Sequence, residues 1–148
     1  GVIMAREIEQ LTFYEEYIEL KRTHLLSMMD YLISKMQTER CNVRHYKQWE
    51  AEMTSFKEEY RVFKKNVVEW LNEGKMAGLE ENVGFSCEEL EEKYEVLAQI
   101  FLEKRDEIRE KTTFFETRQA SKTRGSFLVL PFKRFDIHIF AVKMRRKP

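Results

Sequence analysis

Trp49, Met53, Phe56, Tyr60, Phe63, Val67 and Trp70 follow one another at steps of four, three, four, three, four and three residues. Such a heptad rhythm places all seven side chains on one stripe of an α-helix, while Lys, Glu and Arg fill most of the other positions. A helix of this kind is not stable alone in water and needs other helices laid along its stripe. Leu11, Tyr14, Ile18, Leu25, Met28 and Leu32 keep the same three-and-four spacing over residues 2–36, with Lys21 as the polar interruption. Tyr17, Leu26, Met29 and Ile33 widen that stripe enough for two neighbours. A third seam runs through Leu90, Tyr94, Leu97, Phe101, Lys104, Ile108, Lys111 and Phe115, with lysine stems covering two of its positions.

The punctuation between these seams is sparse. No Gly or Pro lies between Val2 and Glu73, so a single helix over that span would be about 108 Å long at ~1.5 Å per residue. The polar run Gln37–Arg44 is the weak point, and it is consistent with either a turn or a solvated helical joint. Gly74 and Gly78 suit helix termination after Glu73. Downstream, Ser86 and Glu89 match a capping box, and Phe85 with Leu90 matches a hydrophobic staple; together they predict a helix opening at Ser86 and running to about Arg118. Gly125 and Pro131 break the pattern beyond that point. Phe127–Leu130 and Phe135–Val142 are strand-like in composition.

The expected fold is therefore all-α: an elongated three-helix bundle, or antiparallel coiled coil, with an irregular C-terminal tail. Its expected parts are residues 2–44, 45–118 and 119–148. Residues 2–44 look like the last helix of a preceding unit; the other reading has residues 2–36 folding back to complete this one.

Charge divides the chain. Lys and Arg number 26 and Asp and Glu 26. Residues 117–148 carry nine basic and one acidic residue, +8, so the rest carries 17 and 25, −8. An acidic helical body does not suit nucleic acid. The tail mixes aromatic and cationic residues, a chemistry that nucleic acid or an anionic membrane would accept, although docking on the bundle or being foreign to the fold explains it more simply.

Candidate chemistry is thin. Cys41 and His45 are four apart and would share a helical face, but they supply only half of a four-ligand zinc site. They read as a surface Cys beside a surface His. His24 reads as a boundary residue on the first helix. Glu88, Glu89, Glu91 and Glu92 fit a helix start without catalysis. The sequence contains neither a phosphate-binding loop nor a GxGxxG motif. No catalytic, cofactor-binding or metal-ligating residue and no cofactor are assigned, and the chain is read as a non-enzyme. Two distant cysteines suit a reducing, cytoplasmic compartment. The opening GVIMAREIEQ turns charged at once, unlike a secretory leader, and a start at Gly1 suits a piece of a longer chain.

The stretch VVEWLNE, a Gly-containing loop, and GFSCEELEEKYEVLAQIFLEKRDEI together resemble a spectrin repeat, closest to the divergent dystrophin-like or nesprin-like members, over residues 49–118. Trp70, Leu71 and Glu73 match the end of the family's first helix, and Ser86–Leu90 the start of its second. The tail departs from the family in period and composition where a further helix is due. The resemblance implies a structural scaffold of the actin-associated cytoskeleton, in the cytoplasm at the cell cortex or nuclear envelope, acting as spacer and docking surface. Its partners would be cytoskeletal proteins, actin-linked ones among them, and neighbouring repeats, with no small-molecule substrate. The competing expectation is a self-associating coiled-coil adaptor.

Overall fold

The computed structural model describes residues 2–116; the strand-like segments expected after Gly125 lie outside the described residues. Three helices account for nearly all of it: α1 (Val2–Thr38), α2 (Val43–Asn72) and α3 (Glu80–Glu116). Gln37–Arg44 resolves into a tight turn over residues 39–42, not a helical joint. Asn42 explains the break. It sits in extended backbone at φ −142° and its side chain accepts the His45 amide at 2.8 Å, capping α2.

Cross-helix contacts set the topology. Between α1 and α2 the partners Tyr17–Asn66, His24–Glu59 and Lys35–Glu52 lie 49, 35 and 17 residues apart, so the two helices run antiparallel. Between α1 and α3 the partners Arg22–Glu89 and Asp30–Lys93 keep nearly constant separations of 67 and 63, and Cys41, just past the end of α1, meets Lys104 at 63, so these two helices run parallel. The result is an up-down-up bundle. Residues 2–36 fold back on α2 and lie along α3, filling the third place in the bundle.

Each helix turns its seam inward. Trp49, Met53, Phe56, Tyr60, Phe63 and Val67 are all buried, and Tyr46 extends the stripe one step earlier. They meet Tyr14, Ile18, Leu25, Met29, Leu32 and Met36 of α1 and Leu90, Tyr94, Leu97, Phe101 and Ile108 of α3 in one core. The α1 seam is shifted from the sequence expectation at one step: Met29 is buried and Met28 only partly so. On α3, Lys104 is half-buried and Lys111 exposed. Rings fill the α2–α3 interface: Tyr46 stacks on Phe101 at 5.3 Å, and Phe56 on Tyr94 at 6.3 Å.

The expected helix start at Ser86 is wrong. α3 begins at Glu80, six residues earlier, and carries Gly84 and Ser86 inside it. Phe85 is 61% exposed, so it staples nothing. The loop explains the early start. α2 ends in a Schellman arrangement, with the Lys75 amide on the Trp70 carbonyl and the Gly74 amide on that of Leu71. Gly74 and Gly78 take φ of +73° and +91°, which a side chain rarely tolerates. The chain then turns at once, and Met76, Leu79 and Val83 are buried. Burying three such side chains contributes about 1.5–3 kcal/mol each. A capping box contributes about 1 kcal/mol, and an interior Gly costs about 1 kcal/mol relative to Ala. Burial wins.

Trp70 also differs from expectation. It is half-buried, set against Tyr14 and Tyr17 at 5.0 and 4.8 Å, whereas Trp49 is wholly buried. In urea unfolding, Trp49→Ala should cost about 3–5 kcal/mol and Trp70→Ala roughly half of that, in place of the full penalty that the Trp-Leu-x-Glu signature implies for Trp70. Asn42→Ala should cost about 1 kcal/mol, whereas Ser86→Ala should cost under about 0.5. Equal losses at 42 and 86 would contradict the observed helix starts.

Candidate functional site

Three places gather polar chemistry, and each is built by the helix register just described. The first is the α1–α2 turn. Trp49, deep in the core, donates its indole N–H to Glu39 Oε1 at 2.8 Å. His45 packs over the Trp49 ring at 6.2 Å, and its Nδ1 lies 2.6 Å from the Arg40 carbonyl. From α3, Lys111 Nζ donates to the Cys41 carbonyl at 2.8 Å, and the Cys41 thiol donates to the Lys104 carbonyl at 3.8 Å. The turn is thus tied to both α2 and α3.

This arrangement corrects the reading of Cys41 and His45 as a surface pair. Cys41 is buried and precedes α2, whereas His45 is in its first turn. The two do not share a helical face, and each has its own backbone partner. Among the described residues no three His, Cys, Asp or Glu side chains converge as a metal site. His24 is exposed, with Nε2 at 2.7 Å from Glu59 Oε2. Of the acidic group at 88–92, Glu89 holds Arg22 in a two-pronged ion pair at 2.8 and 3.0 Å, and Glu91 is buried. These glutamates lie within α3, not at its start.

The second place is a cavity of about 410 Å³ between α1 and the start of α3, where Arg22 and Glu89 meet Leu79 and Val83. The third is a groove between α1 and α2 that deepens into a cavity of about 330 Å³ over Met28 and Leu32, with Tyr31 and Glu52 at its edge. Sequence reading missed both, because each depends on which residues of two helices come level. The α1–α2 cavity is also lined by His24, Ser27 and Ser55, and the His24 ring is engaged by Glu59.

No family model, no curated protein and no solved structure matches this chain. No helix of the described residues is long and apolar enough to cross a membrane.

The buried thiol and phenol have a measurable consequence. Burial pushes the Cys87 thiol up from its ordinary 9.0 to about 12, against a smaller opposing pull from Lys64. Burial pushes the Tyr46 hydroxyl from 10.0 to about 12, helped by Glu50. Both groups bind their protons more tightly folded than unfolded. Their contribution to stability is complete below about pH 9 and is lost as pH rises towards 12. Lys57, whose pKa burial lowers, acts in the opposite sense. Urea midpoints should therefore fall steadily between about pH 9 and 11, and Cys87→Ala should flatten the first part of that fall. A midpoint independent of pH over this range would contradict the burial of these groups.

Proposed function

We propose that this chain is a non-enzymatic structural segment of a cytoskeletal repeat protein of the spectrin-repeat kind, serving as spacer and docking surface. The observation that carries this reading is the placement of the helix ends. Tyr14 meets Trp70 in the last turn of α2, so α1 continues beyond that end of the bundle. Lys111 reaches the α1–α2 turn at the opposite end, and α3 continues past it to Glu116. The backbone therefore enters at one end of a long bundle and leaves at the other, so a pull along the chain is carried along the helix axes. The Trp70–Leu71–Glu73 signature adds the family resemblance. Charged exteriors and an aromatic core suit a part that spans distance and presents surface, with partners drawn from cytoskeletal proteins.

Force spectroscopy tests this role. α1 residues lie level with α3 residues some 63–67 positions ahead, which makes the folded bundle roughly 75 Å from the start of α1 to the end of α3 at ~1.5 Å per residue. Stretched out, the same residues span roughly 400 Å. With handles near residues 2 and 116 of the full chain, unfolding should occur in one step that lengthens the tether by about 300 Å. Gradual lengthening without a step would rule out a mechanical spacer.

A further inference from the structure

The side of the bundle where α1 and α3 lie together carries most of its charge. Residues 80–103 hold eight acidic residues against Lys93 alone, −7 of the −8 that residues 1–116 carry. On α3, Phe85, Glu89, Glu92, Val96, Gln99 and Glu103 follow at steps of four, three, four, three and four, and all six are exposed. This is a second heptad stripe on the same helix, turned away from the core. Its apolar members, Phe85 and Val96, are 61 and 52% exposed. Glu89 of the stripe meets Arg22 of α1, so the stripe borders the groove between the two helices.

The groove itself has an apolar floor. α1 meets α3 at Arg22 and Asp30, and Leu26 stands one turn from each. Ile33 follows Asp30 by three residues, and Ile100 follows Lys93, the partner of Asp30, by seven. Leu26, Ile33 and Ile100 are all half-buried against the core. At the start of α3 the floor drops into the cavity of about 410 Å³, where buried Ile18, Leu79 and Val83 meet exposed Phe85 and Glu15.

Charge and spacing together say what fits here. Glu15, Glu19, Asp30, Glu89, Glu92 and Glu103 stand along the groove with only Arg22 and Lys93 to answer them, and Glu15 and Glu92 pair with no cation among the described residues. A second copy would bring the same surplus and be repelled. Among the described residues no three such groups converge as a metal site. The stripe is instead strung out over ~27 Å, at ~1.5 Å per residue. Apolar and acidic positions alternating at helical spacing, beside an apolar floor, match an amphipathic helix with cations along its flanks.

We propose that the α1–α3 groove docks a lysine- or arginine-rich amphipathic helix of a partner protein. The apolar side chains of that helix lie over Leu26, Ile33 and Ile100 between Phe85 and Val96. Its cations face Glu92 and Glu103, and one reaches Glu15 at the mouth of the cavity. This rests on the docking half of the proposed role and names its partner's chemistry; the spacer half is tested separately by stretching.

Binding of a synthetic peptide of three heptads to the full chain, followed by the anisotropy of a fluorescent label on the peptide, tests this. The peptide carries Leu at its two inner heptad positions and Lys at the flanking ones. It should bind, and versions with Glu for Lys or Ser for Leu should bind at least about tenfold more weakly. Glu92→Lys and Val96→Lys alter exposed positions, and unchanged melting temperatures will show that the bundle persists. Each should weaken binding at least about tenfold, whereas Glu69→Lys, the same charge change at an exposed position of α2, should weaken it less than about threefold. Equal weakening by Glu69→Lys would reduce the effect to overall charge and overturn the proposal. So would equal affinity of wild type and Val96→Lys, or a wild-type dimer in sedimentation that Val96→Lys makes monomeric, since a second copy would then hold the groove.

Discussion

The structure depends on the α2 seam being shielded from two sides at once. Trp49, Met53, Phe56, Tyr60, Phe63 and Val67 present a stripe of large side chains that no single neighbour could cover. α1 and α3 close over it, and their own seams are buried by the same contact. Burying a large apolar side chain contributes about 1.5–3 kcal/mol, so six in a row outweigh every local preference along the chain. The placement of Gly84 inside α3 follows from the burial of Met76, Leu79 and Val83 beside that stripe, while the Asn42 cap fixes where α2 begins.

Polar contacts refine the register that burial sets. Exposed ion pairs such as Arg22–Glu89 and Lys93–Asp30 contribute little individually, about 0–1 kcal/mol. They tie chosen positions of neighbouring helices together and so disfavour slippage by a turn. The α1–α2 turn is held more firmly. The indole of Trp49 reaches out of the core to Glu39, and Lys111 reaches across from α3 to the Cys41 carbonyl. Core and turn are therefore coupled, and movement of the turn would disturb a wholly buried ring.

The spacer role proposed above would rest on the length of the bundle and on its faces. The described cysteines and histidines are taken up by packing and by backbone or carboxylate partners, and the two cavities lie at seams between helices.

Much of this was legible in the sequence. The three seams, the all-α class and the burial of Leu25, Phe63 and Leu97 follow from three-and-four spacing, because a stripe of large apolar residues has few places to go but inward. The break at Gln37–Arg44 was visible as a weak point, though only the Asn42 cap made it a turn. The start of α3 was misread at Ser86, because a capping box is a local signal and the burial of Met76, Leu79 and Val83 is not. The burial of Cys41, the partial exposure of Trp70 and both cavities were invisible for the same reason. Periodicity along one helix tells which face goes inward; which residues of two helices come level is decided only when the helices pack, by the sum of contacts over their whole length.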